Sequence, residues 1–94
     1  MIKFENKEIT EKAIGQNYAS VALRCLQSSP MQGFTVGQMK EISKTIDKLE
    51  DHKLDSIIEI ENKDLTLIKE KTRSFPWAIF NKELIEMDEY LDTL

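Results

Sequence analysis

The stretch "LDSIIEIEN", residues 54–62, changes the period of the chain in its middle, and that change constrains the fold more than any other feature. Ile58 and Ile60 point one way, whereas Ile57, Glu59 and Glu61 point the other. This is the pattern of a half-buried strand with its charged face in water. A lone strand cannot satisfy its own backbone donors and acceptors. The only other alternating segment is Ile2-Lys3-Phe4-Glu5, so the economical solution is a two-stranded ribbon joining the start of the chain to its middle. Otherwise the open edge pairs with another copy or with a partner.

The other ordered segments read as helices joined by turns. "FTVGQMKEISKTIDKLEDHK" is the clearest case: Thr35 with Gln38 three positions on has the form of a capping box, and Phe34 stands where a hydrophobic staple begins, with Met39 as its partner. Behind that cap Met39, Ile42, Ile46 and Leu49 form an apolar stripe, while Lys40, Glu41, Lys44, Asp47 and Lys48 take the other faces. An earlier helix is predicted from about Thr10, where Ile14, Tyr18, Val21, Ala22 and Cys25 fall at helical spacing with Leu26 beside them. Gly15 inside that pattern costs up to about 1 kcal/mol relative to Ala and marks either a later start or close packing. Pro30 and Gly33 end this helix.

Asn62 is read as the cap of a third helix carrying Leu65, Ile68 and Thr72, with Leu67 at its side, ending near Ser74. Asn81 caps a fourth, with Glu83 in the first turn, where negative charge suits the helix dipole. Leu84, Met87, Leu91 and Leu94 form its stripe, with Tyr90 alongside. The fold class is therefore mainly α, within α+β: four short helices and a minor ribbon in one compact domain. Ninety-four residues leave no room for a second core.

Chemistry is sparse. His52, between Asp51 and Lys53, reads as a solvated loop residue, and Cys25, on an apolar stripe, reads as a packed thiol. Two potential ligands do not make a structural zinc site. Gly15, Gly33 and Gly37 are isolated and form no phosphate-binding loop. The expectation is a protein without catalytic, metal or cofactor-binding residues. A single cysteine excludes an internal disulfide framework and fits a reducing, cytosolic setting. No apolar run approaches the roughly 20 residues that cross a bilayer, and the N-terminus lacks the long apolar region of a secretory signal. A net charge of -4 opposes wholesale neutralisation of phosphates. The helix–turn–strand–helix section has the order of a winged DNA reader but lacks a basic recognition helix. The nearest basic group is Lys69, Lys71 and Arg73.

The remaining feature is "SFPWAIFNKELIEMDEYL". It places Phe75, Trp77 and Phe80 around Pro76, just before the densest acidic group, Glu83, Glu86, Asp88, Glu89 and Asp92. Phe75 and Phe80 are read as rings folding inward to tie the third and fourth helices together. Trp77 fits the core or an interface equally, because tryptophan is enriched among residues that dominate interfaces. Asp92 sits at a helix C-terminus, where negative charge is unfavourable and a basic partner or salt would relieve it.

"GFTVGQMKEISKTIDKLE", "IIEIENKDLTLIKEK" and "FPWAIFNKELIEMDEYL" together resemble small bacteriophage accessory proteins. The likeness covers about Gly33 to Leu91, leaves residues 1–32 unmatched and carries no catalytic residues. It implies a phage or prophage setting, where small acidic proteins serve assembly or disable host machinery. The expectation is a protein-binding accessory factor that docks on a host or phage protein through Trp77, Ile79, Glu83, Glu86 and Glu89, extended by Ile57. The alternative is a virion component or assembly chaperone that self-associates, and a DNA-binding regulator stands behind both.

Overall fold

The ribbon forms as its alternation dictates. In the computed structural model, which describes residues 1–28, 33–50 and 53–94, β1 (Ile2–Glu5) pairs antiparallel with β2 (Ile57–Ile60). The register sets Phe4 opposite Ile58 and Ile2 opposite Ile60, so one face carries the apolar side chains. Phe4, Ile58 and Ile60 are fully buried. Lys3 stands opposite Glu59 on the outer face, a favourable cross-strand charge pairing.

Asn6 follows β1 and is wholly buried, yet it is well satisfied. Its side-chain oxygen accepts from Ala19 N (2.8 Å), and its amide donates to Lys53 O (3.0 Å). Its backbone N–H donates to Ser56 O, and its carbonyl accepts from Asp55 N, each at 2.9 Å. One polar residue thus holds the strand end, the first helix and the turn before β2. Asp55 takes a positive φ of 61° in that turn, a conformation that Asp tolerates better than most residues.

Among the described residues the helices are α1 (Tyr18–Gln27), α2 (Val36–Leu49), α3 (Asn62–Ser74) and α4 (Lys82–Asp92). The first begins well after Thr10. Asn17 caps it, its side-chain oxygen accepting from Ser20 N at 2.8 Å. Residues 10–16 instead form a loop closed by Ile9 N to Gln16 O (3.0 Å) and Tyr18 N to Lys7 O (2.9 Å). Ile14 reaches the core from a turn within this loop. Gly15 resolves the ambiguity: a Cβ there would lie 2.8 Å from Val21 Cγ2, closer than a real side chain approaches. The predicted stop at Pro30 lies outside the described residues.

The capping box of α2 is present, with Gln38 N donating to Thr35 Oγ1 (3.1 Å) and Thr35 N to Gln38 Oε1 (2.9 Å). Its buried line runs through Ile42, Thr45 and Leu49. Met39 does not belong to it and stays half exposed, while Phe34 is partly buried, with Lys71 Nζ 5.4 Å from its ring centre. The stripe is turned toward Thr45 because that hydroxyl has a buried acceptor, Asp64. The cap of α3 is Glu61 rather than Asn62. Asp64, third in the helix, reaches back to accept from Glu61 N at 2.9 Å.

The core joins Phe4, Ile58 and Ile60 to Val21, Ala22, Cys25 and Leu26 of α1, Leu65 and Ile68 of α3, and Met87 and Leu91 of α4. α1 packs on α2 and α3, β2 also meets α2, and α4 lies against α3. Phe4, Tyr18 and Tyr90 form an aromatic triad with centroids 5.7–6.5 Å apart. Tyr90 Oη accepts from Glu5 N at 2.8 Å, which also fastens α4 to the ribbon. The radius of gyration is 12.6 Å, against about 12.4 Å expected for one compact domain of this length.

Candidate docking surface

The expected surface divides once its side chains are placed. After α3 the chain turns sharply, Trp77 N donating to Phe75 O at 3.0 Å. The Phe75 and Trp77 rings pack at a tilt of 49° with centroids 4.4 Å apart, and the Arg24 guanidinium lies 5.4 and 5.3 Å from their centres. Both rings are partly buried against the core. Trp77 is therefore engaged within the molecule on one side.

Phe80 departs from the inward packing expected of it. It is 81% exposed, and Ile79 and Ile85 are 46% and 45% exposed. The interior beside α4 is already filled by Met87 and Leu91, with Leu84 and Leu94 at its margin, so residues 78–80 run over the outside before Asn81 caps the helix. Asn81 does so with its side-chain oxygen accepting from Glu83 N at 2.7 Å. Phe80 and Ile85 then occupy the positions just before the cap and four into the helix, the pair that a hydrophobic staple brings together.

The acidic group divides as well. The Glu83 carboxylate accepts from Thr10 N (3.0 Å), Thr10 Oγ1 (2.7 Å) and Glu11 N (2.9 Å). The Thr10 backbone bond leads the effects that hold its carboxyl below the usual glutamate range, followed by the Thr10 hydroxyl and Glu11 N. Glu83 thus anchors the 10–16 loop. Asp88 accepts from Arg73 Nε at 2.6 Å, and Asp92 from Arg73 Nη2 at 2.7 Å, with Lys69 Nζ at 3.2 Å. The C-terminal charge conflict at Asp92 is relieved by α3, inside the molecule. The same pairs occupy Lys69 and Arg73, while Lys71 lies over Phe34, so the basic run is used internally. Glu86 and Glu89 remain exposed, with no ion pair among the described residues. Ile57, 57% exposed, lies on the outer face of the ribbon opposite Glu5.

Elsewhere, Asp64, Cys25 and Tyr18 are titratable groups buried within the structure. Asp64 is only 1% exposed and accepts from Thr45 Oγ1 and Lys48 Nζ, each at 2.5 Å, besides Glu61 N. Burial alone would raise its carboxyl; the bonds from Lys48, Thr45 and Glu61 outweigh that and hold it below the ordinary aspartate range. Sequence reasoning passed over this group, although an acid three residues after Glu61 carries a capping signal. Cys25 is buried, and burial pushes its thiol up to about 11 against smaller opposing effects of Thr72 and Arg24. Such a thiol is a poor nucleophile at neutral pH. Tyr18 is also raised, by burial first and then by the charges of Glu86 and Glu83. His52 lies outside the described residues.

Among the described residues no helix is long and apolar enough to cross a membrane. No protein-family model, curated protein or solved structure matches this chain.

Proposed function

We propose that this is a non-enzymatic accessory protein that docks on a host or phage protein as an inhibitor or modulator. Its working surface is the outer side of the turn into α4, formed by Ile79, Phe80, Ile85, Glu86 and Glu89. The observation that carries this reading is the 81% exposure of Phe80 between two other exposed apolar side chains. Contiguous exposed apolar groups rimmed by charge mark interaction sites, and aromatic anchors commonly dominate their energetics. Supporting it, Glu83, Asp88 and Asp92 are bound internally, which leaves Glu86 and Glu89 as the exposed acids of α4 without an ion pair among the described residues.

Affinity capture from host lysate with the wild type and with Phe80→Ser/Glu86→Lys tests this assignment. Both positions are exposed, so folding should be retained and verified by far-UV circular dichroism. The variant should lose the proteins that the wild type retains. Equal recovery of those proteins by both forms would refute the surface.

A further inference from the structure

The turn into α4 has a counterpart elsewhere on the chain. At the start of α2, Val36 is 66% and Met39 50% exposed, and they line an open groove with Lys40, Lys44, Glu41 and Ser43. Val36 and Met39 lie in the first turns of α2, whereas Phe80 and Ile85 flank the start of α4, so both patches present apolar side chains beside a helix N-terminus. Their charges are opposite in excess: Glu86 and Glu89 outnumber the exposed Lys82 at α4, while Lys40 and Lys44 outnumber Glu41 at α2. Even the minority charges are of complementary sign. α2 packs on α1 and β2, whereas α4 packs on α3. Both patches are exposed in the same molecule, so neither covers the other.

We propose that the α2 patch of one copy receives the α4 patch of a second copy, Phe80 and Ile85 meeting Val36 and Met39 while Glu86 and Glu89 face Lys40 and Lys44. This rests on reading the α4 turn as a docking surface and names its occupant. The contact is head-to-tail, because each molecule offers a different face. One patch therefore stays open at each end of a pair, and association continues into a closed ring or an open chain. A bulk acid–base attraction between dissimilar faces also disfavours the alternative in which two α4 patches meet, since that would oppose Glu86 and Glu89 to their own copies.

Sedimentation and light scattering across about 10 µM to about 1 mM, at low and high salt, test the proposal. The wild-type mass should rise with concentration, and the rise should shrink as salt is added. Phe80→Glu disables one face and Met39→Glu the other, so each alone should remain monomeric. Mixed in equal amounts they should form a two-chain complex and nothing larger, because each keeps the face that the other lacks. Retained helicity in both variants separates loss of contact from loss of fold.

A wild type that stays monomeric throughout overturns the proposal. So does self-association that survives Met39→Glu, or a mixture that remains monomeric. The broader docking reading is separable. If the wild type is monomeric but Phe80→Glu still loses proteins captured from lysate, only the second-copy occupant fails. If Phe80→Glu keeps both self-association and captured proteins, the α4 surface itself fails.

Discussion

Replacing Asp64 by Ala removes the only buried charged side chain among the described residues, and the structure sets the size of the loss. The Thr45 hydroxyl, itself buried, would lose its acceptor, at a cost of about 1–3 kcal/mol for an unsatisfied buried donor. Lys48 is 30% exposed and can turn to water, so the full penalty of a stranded buried charge, about 3–5 kcal/mol, does not apply. Glu61 is exposed, and its N–H can likewise recover a water. Losing the bonds from Lys48 and from Glu61 N adds about 0.5 kcal/mol each, so the sum is a destabilisation of about 2–4 kcal/mol, a large share of the 5–15 kcal/mol typical of small domains. With a urea slope of about 1.5 kcal/mol/M, the midpoint should fall by about 1.3–2.7 M.

The pH dependence supplies a second readout. The carboxyl of Asp64 is lower in the folded chain than its ordinary value of 3.8, so its contribution is fully present above that value and is lost as pH falls through the folded one. The gap between wild type and Asp64→Ala should therefore be complete at neutral pH and narrow in strong acid, where the protonated carboxyl keeps only its bond from Thr45. Denaturation followed by Trp77 fluorescence and circular dichroism measures both. A midpoint shift below about 0.3 M, or a gap unchanged in strong acid, would refute the view that this carboxylate clamps α2 to α3.

Gly15→Ala should destabilise by about 1–3 kcal/mol, because its Cβ would meet the buried Val21 at 2.8 Å. Gly37→Ala, with its nearest neighbour 3.9 Å away at Thr35 Oγ1, should instead stabilise by up to about 1 kcal/mol; parallel thermal melts compare the two. Cys25 should resist a thiol reagent in the native state and react promptly in urea, and rapid native labelling would contradict its packing. Glu83→Gln should speed amide exchange at Thr10 and Glu11 while leaving the helical signal unchanged. Unaltered exchange at those two amides would remove Glu83 from its role as anchor.

Much of the fold was legible because burial and periodicity coincide. Ile58 and Ile60 had to face inward, and Ile2–Glu5 was the one alternating segment able to pair with them. Thr35 and Gln38 announced α2 by local chemistry alone. The misreadings fall where a long-range contact competes with a local pattern. Ile14 fitted the α1 period but reaches the core from a loop that Glu83 holds from across the chain, and Asn17 caps the helix instead of Thr10. Met39 fitted the α2 stripe, yet the buried Thr45–Asp64 contact turns the helix away from it.

The aromatic cluster divides in the same manner. Phe75 finds Trp77 and Arg24, whereas Phe80 meets a core already filled by α4. Nothing in the sequence ranks one phenylalanine over the other. Asn6 offered no signal, since its four hydrogen bonds come from segments far apart along the chain. The acidic group at 83–92 looked uniform, but Arg73 and Thr10 select three of its members, and only a folded chain reveals which two are left over.

Amide-resolved NMR of labelled protein over a concentration series addresses the working surface most directly. Signals of residues 79–89 and 36–44 should shift together as concentration rises, while those of the ribbon stay fixed. Shifts confined to the ribbon edge, or no shifts at any concentration, would contradict docking through the α4 turn onto the α2 face.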